Sequence, residues 1–157
     1  MLEIYQKLES FRTRIVEIQQ QSEHSTQAAQ WLCKYRNLLI VHASEAVFDI
    51  SQGDGNIRIR GEHLQISRDG YRLFRRDIYV YLKWIGHYMG MGGMTPKILS
   101  KELLALPIDY RFYIKAFTAI RNNKVAQADR SEVSRDALQM LVRYFNRFLI
   151  SRENQEL

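Results

Sequence analysis

Apolar residues recur every three or four positions along most of the chain, which is the period of one face of an α-helix. Where a polar run such as QQQSEHS interrupts this pattern, we expect a helix to end. Thr26 would then cap the next helix with its hydroxyl, and Thr95 followed by Pro96 would begin a later one. The predicted helices cover 2–21, 26–50, 69–89, 97–105 and 109–120, with a last helix opened by a capping box of Asp129 and Glu132.

Between the second and third predicted helices the period changes from helical to alternating. NIRIR and HLQIS alternate apolar and polar residues on either side of Gly61 and Glu62, which predicts a β-hairpin near residues 56–67. Arg58 and Arg60 are expected to point away from the core, toward solvent or a phosphate backbone. The residues expected on the apolar face are Ile57, Ile59, Leu64 and Ile66.

The chain is expected to form one domain over residues 1–157. Its length lies within the range of about 100 to 200 residues that is typical of a domain, and no linker or internal repeat is visible. The glycine-rich segment 90–94 is expected to be a hinge, and the tail 152–157 is expected to fray. The predicted fold is mainly α: a bundle of four longer helices and one or two short ones, with the hairpin inserted after the second helix.

The composition favours a soluble protein with an anionic partner. The net charge is +6, and sixteen arginines stand against seven lysines; a guanidinium binds phosphate through two parallel hydrogen bonds. No run reaches the 18 or so apolar residues that would span a bilayer. Cys33 is the single cysteine and cannot form an internal disulfide, which favours the reducing cytoplasm.

Two segments of the chain combine arginine with asparagine. The first is RNLLIVH, with Arg36, Asn37 and His42, and the second is RNNKVAQ, with Arg121, Asn122, Lys124 and Gln127. Arginine, a polar residue, four to six further residues and a histidine form a pattern that resembles the signature of the HEPN superfamily, helical proteins common in prokaryotic toxin and antiviral systems. The resemblance implies metal-independent RNA cleavage by a homodimer in which two copies of the motif line one cleft.

Cleavage of RNA by its own 2′-hydroxyl needs a proton acceptor, a proton donor and positive charge at the phosphate. A histidine side chain can exchange a proton and an arginine carries positive charge, so His42 and Arg36 would carry the reaction, with Asn37 orienting them. Residues six apart differ by about 240° on an ideal helix, so this pair needs a distorted helix or chain pairing to meet. Gln127 cannot exchange a proton at neutral pH, so the second segment is expected to bind without cutting.

Other arginines are candidate contacts to nucleic acid. They lie in the first turns of the third predicted helix, on the hairpin and along the last helix: Arg72, Arg75 and Arg76; Arg58 and Arg60; Arg135, Arg143 and Arg147. Solvated surface charge is the alternative for all of them, and a hydrogen-bonded core histidine is the alternative for His42. A helix-turn-helix over residues 98–121 is a further alternative, which would bind DNA.

The sequence therefore predicts a HEPN-like protein that binds nucleic acid, RNA more than DNA, and that either cuts RNA or is a non-cutting relative in a toxin or defence system. The alternative is a non-enzymatic accessory or regulatory protein of a mobile element that holds DNA, RNA or a protein partner. No cofactor is expected. The histidines are scattered without metal-ligand spacing, so no metal is expected either.

Overall fold

The computed structural model of the chain describes residues 2–50, 55–90 and 105–153. Within these ranges it contains four α-helices, one short π-helical segment and a three-stranded antiparallel sheet. Their order is α1 (Leu2–Val47), β1 (Phe48–Asp49), β2 (Asn56–Ile59), β3 (Gln65–Ser67), α2 (Arg68–Gly90), α3 (Tyr110–Ile120), the π-segment (Arg121–Val125) and α4 (Arg135–Glu153). The prediction of a mainly α fold with a small hairpin is confirmed.

Helix α1 runs without interruption for 46 residues, so the predicted break at QQQSEHS is wrong. That segment contains neither glycine nor proline, and glutamine and glutamate are good helix formers, so polarity alone does not end the helix. Thr26 is consequently an exposed residue inside α1 and not a cap. The polar segment instead marks the place where α1 enters the core, since its last residue, Ser25, is fully buried and donates its hydroxyl to the sulfur of Met140 at 3.0 Å.

The first half of α1, residues 2–23, forms an arm whose described side chains are all exposed. Its exposed large apolar residues are Leu2, Ile4, Tyr5, Leu8, Phe11, Ile15 and Val16. Because these side chains bury little surface, the arm is helical through its intrinsic propensity and through continuity with the packed half of the same helix.

The core lies between the second half of α1 and helices α2, α3 and α4. The apolar stripe predicted for the third helix is buried on α2, where Phe74 and Tyr81 are the largest members. Aromatic rings of α2 and α3 are in contact. The ring centroids of Tyr81 and Phe117 are 5.1 Å apart in an edge-on arrangement, and those of Phe74 and Tyr113 are 4.9 Å apart. Such pairs add to the stabilisation from burial alone.

The predicted hairpin is present as β2 and β3, which pair in the register Ile57 to Ile66. A third strand, β1, was not predicted; it follows α1 directly and pairs with β2 through Phe48 and Ile59. Two residues at the end of a helical pattern carry no alternation, so β1 is visible only through its pairing. Leu64, expected on the apolar face, is 49% exposed because it lies in the turn before β3.

The later helix boundaries follow local capping in part. The helix predicted over 109–120 is confirmed, with the Asp109 carboxylate accepting from the backbone N–H of Arg111 at 3.1 Å. Asp129 does not open the last helix as predicted, because its carboxylate closes a local turn with Ser131. Ser134 is the actual cap, since its hydroxyl accepts from Ala137 N–H at 3.2 Å.

Three predictions fall wholly or partly outside the described residues. Of the predicted helix 97–105, only Ala105 is described, and it is a coil residue. Of the predicted glycine-rich hinge 90–94, only Gly90 is described, and it is the last residue of α2. In the tail, expected to fray from residue 152, α4 continues to Glu153 and residues 154–157 lie outside the description.

A buried carboxylate, Asp77 of α2, fastens the loop before α3. It accepts hydrogen bonds from the backbone N–H groups of Ala105 and Leu106, at 2.9 and 3.0 Å, and from the hydroxyl of Tyr113 at 2.6 Å. Leu106 has a φ of 46°, in the left-handed region that is uncommon for a residue with a side chain. Three donors thus satisfy a fully buried acid and hold an otherwise unfavourable backbone conformation.

The position of the arm predicts an asymmetry between two phenylalanines. Phe11→Ala should change the free energy of unfolding by less than about 0.5 kcal/mol, as for an ordinary surface position. Phe117→Ala should lower it by about 3–5 kcal/mol, because Phe117 is fully buried. Urea denaturation followed by circular dichroism at two protein concentrations measures both. A loss for Phe11→Ala comparable to that for Phe117→Ala would show that the arm packs against another surface.

The contact between Tyr113 and Asp77 predicts a loss of stability in alkali. Burial, and then the hydrogen bond and negative charge of Asp77, raise the pKa of Tyr113 above its ordinary value of 10.0. The folded state therefore favours the neutral phenol, so this contribution is complete below pH 10 and is lost as the pH rises further. Denaturation between neutral pH and pH 11 should show a shallower alkaline decline for Tyr113→Phe than for the wild type.

Tyr5→Phe is the matched control for this measurement, because Tyr5 is 67% exposed on the arm. At neutral pH, Tyr113→Phe should be less stable by roughly 0.5–1.5 kcal/mol through loss of one hydrogen bond. Identical alkaline slopes for Tyr113→Phe and the wild type would contradict the assignment.

Candidate nucleic-acid interface

The first arginine-asparagine segment lies in the packed half of α1, and its residues contact different elements. The guanidinium carbon of Arg36 lies 4.6 Å from the ring centroid of Tyr79, on α2. His42 instead has its Nε2 atom 3.3 Å from the amide nitrogen of Asn123, in the π-segment. Asn37 is exposed. Because α1 is a regular helix, Arg36 and His42 point in different directions, and one chain does not bring them to a common neighbour.

The second arginine-asparagine segment forms the π-segment, which continues α3 without a break in backbone direction. Its wider turn is closed by a hydrogen bond from Ala126 N–H to the carbonyl of Arg121 at 3.0 Å, five residues earlier. Turns of this kind are rare and are frequent at functional sites. Sequence periodicity does not distinguish this geometry from an ordinary helix end, so it was not predicted.

Arg121 is held by neutral partners. Its Nε donates to the side-chain oxygen of Asn122 at 3.1 Å, and its Nη1 donates to that of Asn146, on α4, at 2.7 Å. No carboxylate within the described ranges forms an ion pair with Arg121. Two amides therefore fix the direction of a half-buried guanidinium without neutralising its charge, which leaves it suited to an anion.

His42 completes this group, which we call the RNN cluster: His42, Arg121, Asn122, Asn123 and Asn146. When the Asn123 amide donates, His42 Nε2 accepts, which requires the neutral tautomer with its proton on Nδ1. An imidazole of α1 thus contacts the π-segment through Asn123. Gln127 itself is exposed and Lys124 is half-buried.

A second basic surface lies between the hairpin and the start of α2. Here a cavity of about 310 Å³ opens, and three arginine side chains line it. We call it the arginine cleft, and its polar and aromatic residues are Asn56, Arg68, Tyr71, Arg72 and Arg75. Arg75 lies 5.8 Å from the Tyr71 ring centroid, and Arg72 pairs with Asp69 at 3.7 Å, where both side chains are largely exposed. Such an exposed pair leaves most of the positive charge available.

Arg72 and Arg75 were predicted from the sequence as contacts to nucleic acid. Arg68, which lies at the junction of β3 and α2, was not predicted. Its place in the cleft follows from the way the hairpin folds back on α2, which periodicity does not reveal. Arg76, also predicted to bind nucleic acid, is exposed on α2 and does not line the cleft.

The remaining predicted contacts are dispersed. Arg58 is exposed on β2, opposite Gln65, whereas Arg60 donates its Nε to the carbonyl of Glu45 at 2.6 Å and so supports the end of α1. Arg135 and Arg143 are exposed on α4; Arg147 lies on the same helix, with its side chain outside the description. In the helix-turn-helix alternative, Arg111 would face DNA, but it pairs with Glu62 of the hairpin turn at 3.6 Å.

An acidic residue that the sequence analysis assigned to a capping box, Glu132, instead joins two elements. It accepts hydrogen bonds from the Tyr35 hydroxyl and from Lys34, whose nitrogen lies 3.2 Å away. These two hydrogen bonds lower the pKa of Glu132 below its ordinary value. Glu132 thereby connects the turn before α4 to α1, the helix that also carries His42.

Two general features of the described ranges bear on the chemistry. They contain no group of three or more histidine, cysteine, aspartate or glutamate side chains arranged to hold a metal ion. They also contain no helix with the length and apolar character needed to cross a bilayer.

Comparisons of this chain with protein-family models, with curated proteins and with solved structures give no significant match. The resemblance to HEPN proteins therefore rests on the arginine, asparagine and histidine pattern of the sequence alone.

Proposed function

We propose that this chain is a HEPN-like RNA-binding protein whose RNN cluster cleaves RNA without a metal ion. The observation that carries the proposal is the contact between His42 of α1 and Asn123 of the π-segment. It brings an imidazole, which can accept and donate a proton, to a segment whose arginine is oriented by two amides and has no carboxylate partner among the described residues.

The reaction assigns a role to each side chain. A ribose 2′-hydroxyl displaces the Asn123 amide from His42 Nε2, which then removes the hydroxyl proton. The 2′-oxygen attacks the adjacent phosphorus while the bond from phosphorus to the 5′-oxygen breaks. Arg121 stabilises the negative charge that develops on the phosphate oxygens, and Asn123 holds the imidazole in place before the substrate binds. The products are a 2′,3′-cyclic phosphate and a 5′-hydroxyl, and the departing 5′-oxygen takes up one proton.

An acid must donate the proton that the departing 5′-oxygen takes up. Each RNN cluster contains only one histidine, which already acts as the base, so the acid must come from elsewhere. A second copy of the chain, placed so that two clusters face one substrate, would provide it from its own protonated His42. The homodimer implied by the HEPN resemblance is therefore part of the proposal. The proposal also includes a location in the reducing cytoplasm, which suits the exposed and unpaired Cys33. It includes as well a role in a toxin or defence system.

The arginine cleft supports binding. Its three guanidinium groups suit successive phosphates, and the half-buried ring of Tyr71 offers a surface for a base. The requirement for a 2′-hydroxyl in the cleavage step favours RNA over DNA as the substrate.

A second candidate function is that of a non-enzymatic accessory or regulatory protein, such as one from a mobile element, that holds nucleic acid or a protein partner. The observation that favours it is that Gln127, and not a histidine, follows the RNN segment at the expected spacing. Binding through the arginine cleft alone would suffice for this function.

We expect purified protein to cleave single-stranded RNA in the presence of EDTA. His42→Ala should reduce the rate by about 10²–10⁴-fold, the usual contribution of a general base, and Arg121→Met should reduce it comparably. His63→Ala is the matched control, because His63 is exposed in the hairpin turn. The measurement is gel analysis of end-labelled RNA, with the cyclic phosphate identified by mass spectrometry.

The same assay separates the two candidate functions. Cleavage by His42→Ala at the wild-type rate would remove His42 from the mechanism. Tight binding without any cleavage by the wild type would exclude the nuclease and leave the accessory function.

We also expect affinity for RNA to fall steeply with salt. Replacing both Arg72 and Arg75 with glutamine should weaken binding and reduce the slope of log K against log salt by roughly 1–2, about one per lost phosphate contact. Arg14→Gln on the arm is the matched control. Fluorescence anisotropy with a labelled oligoribonucleotide measures both quantities, and an unchanged slope in the double variant would exclude the arginine cleft as the binding surface.

A further inference from the structure

A separate cavity of about 260 Å³ lies between α1 and α2, away from the residues of the RNN cluster and the arginine cleft. Leu32 and Leu82 give it an apolar wall, and its ionisable lining residues are Cys33, Arg36, Lys83 and His87. No carboxylate lines it among the residues that the structure describes. We call it the Arg36 pocket.

The charge on Arg36 is fixed in place but not compensated. Its guanidinium stacks on Tyr79 at 4.6 Å, and Lys83 approaches the same ring at 6.0 Å, so two cations share one aromatic neighbour. The buried Nε of Arg36 has no hydrogen-bond partner in the described part of the chain. Neither cation has a carboxylate within ion-pair distance there.

Two neighbouring positive charges, one of them partly buried, repel each other and raise the free energy of the folded state. A buried polar group without a partner adds a further cost and calls for an explanation such as a bound ion. An anion in the pocket would offset the repulsion through its charge, and it would accept hydrogen bonds from the outer nitrogens of the same guanidinium.

The pocket is larger than an inorganic anion requires. At roughly 30 Å³ for each water molecule in the liquid, its volume corresponds to several waters, which leaves space beside a phosphate group. The apolar wall formed by Leu32 and Leu82 suits a less polar part of the same ligand.

We propose that the Arg36 pocket binds the phosphate group of a small organic phosphate of nucleotide size. Arg36 and Lys83 bind the phosphate, and the apolar wall contacts the remainder of the molecule. This site is distinct from the RNN cluster and does not depend on RNA cleavage, so it gives Arg36 a role outside the catalytic pairing with His42 that the sequence suggested.

The position of Cys33 in the lining provides a direct test. It is the only cysteine of the chain and is exposed, so alkylation by iodoacetamide, measured by intact mass, reports on this one place. Adenosine 5′-monophosphate should slow alkylation by a factor of 1 + [L]/Kd, about tenfold when its concentration is near ten times Kd. Adenosine at the same concentration and ionic strength should give no protection.

Variants connect the protection to the phosphate contacts. Arg36→Met keeps the length of the side chain, removes the unpartnered donor and should abolish protection, and Lys83→Met should weaken it. Lys115→Met is the matched control, because Lys115 is an exposed lysine on α3. Since Lys83 is exposed at the surface of α2, Lys83→Met decides the matter if Arg36→Met does not fold.

The outcomes separate this site from the nuclease. Protection that persists in His42→Ala supports an independent pocket, and equal protection by inorganic phosphate supports the phosphate contacts and identifies free phosphate as the source. Absence of protection by adenosine 5′-monophosphate in the wild type, equal protection by adenosine, or full protection in both Arg36→Met and Lys83→Met would overturn the proposal.

Discussion

The regular helical geometry of α1 separates the two candidate sites of this protein. Arg36 and His42 lie on the packed half of this helix, and the rotation of about 100° per residue sends them toward different neighbours. Arg36 consequently meets α2, and His42 meets the π-segment that follows α3. Both residues follow the polar stretch at residues 19–25, so the helical turns between positions 36 and 42 are what place the RNN cluster apart from the Arg36 pocket.

The arginines fall into two groups according to their partners. Arg60 and Arg111 bind a backbone carbonyl and a carboxylate, respectively, and so contribute to the fold. Arg121 and Arg36 are held by neutral groups, two amides in one case and an aromatic ring in the other. A cation that is oriented but not neutralised keeps its attraction for an external anion, which is why both proposals centre on the second group.

The buried acid of the core shows the opposite arrangement. Asp77 has three donors around it, and no cation among them, so its hydrogen-bonding capacity is used inside the fold. It determines the path of the chain into α3 and therefore the start of the element that ends in the π-segment. The buried polar group of the core is thus satisfied by its partners, whereas Arg36 keeps a buried Nε without a partner in the described part of the chain.

The sequence by itself determined the mainly helical class, the hairpin, the buried stripe of α2 and the Asp109 cap, because each depends on local periodicity or on a cap within a few residues. It also identified both arginine-asparagine segments. The unbroken α1 and the Ser134 cap are also local, but the polar stretch and the Asp129 capping box pointed to other boundaries. Tertiary structure decided that β1 joins the sheet and that His42 contacts Asn123 of the π-segment. These outcomes depend on contacts between residues distant in sequence, 81 positions apart for His42 and Asn123, and local spacing carries no information about contacts at that separation.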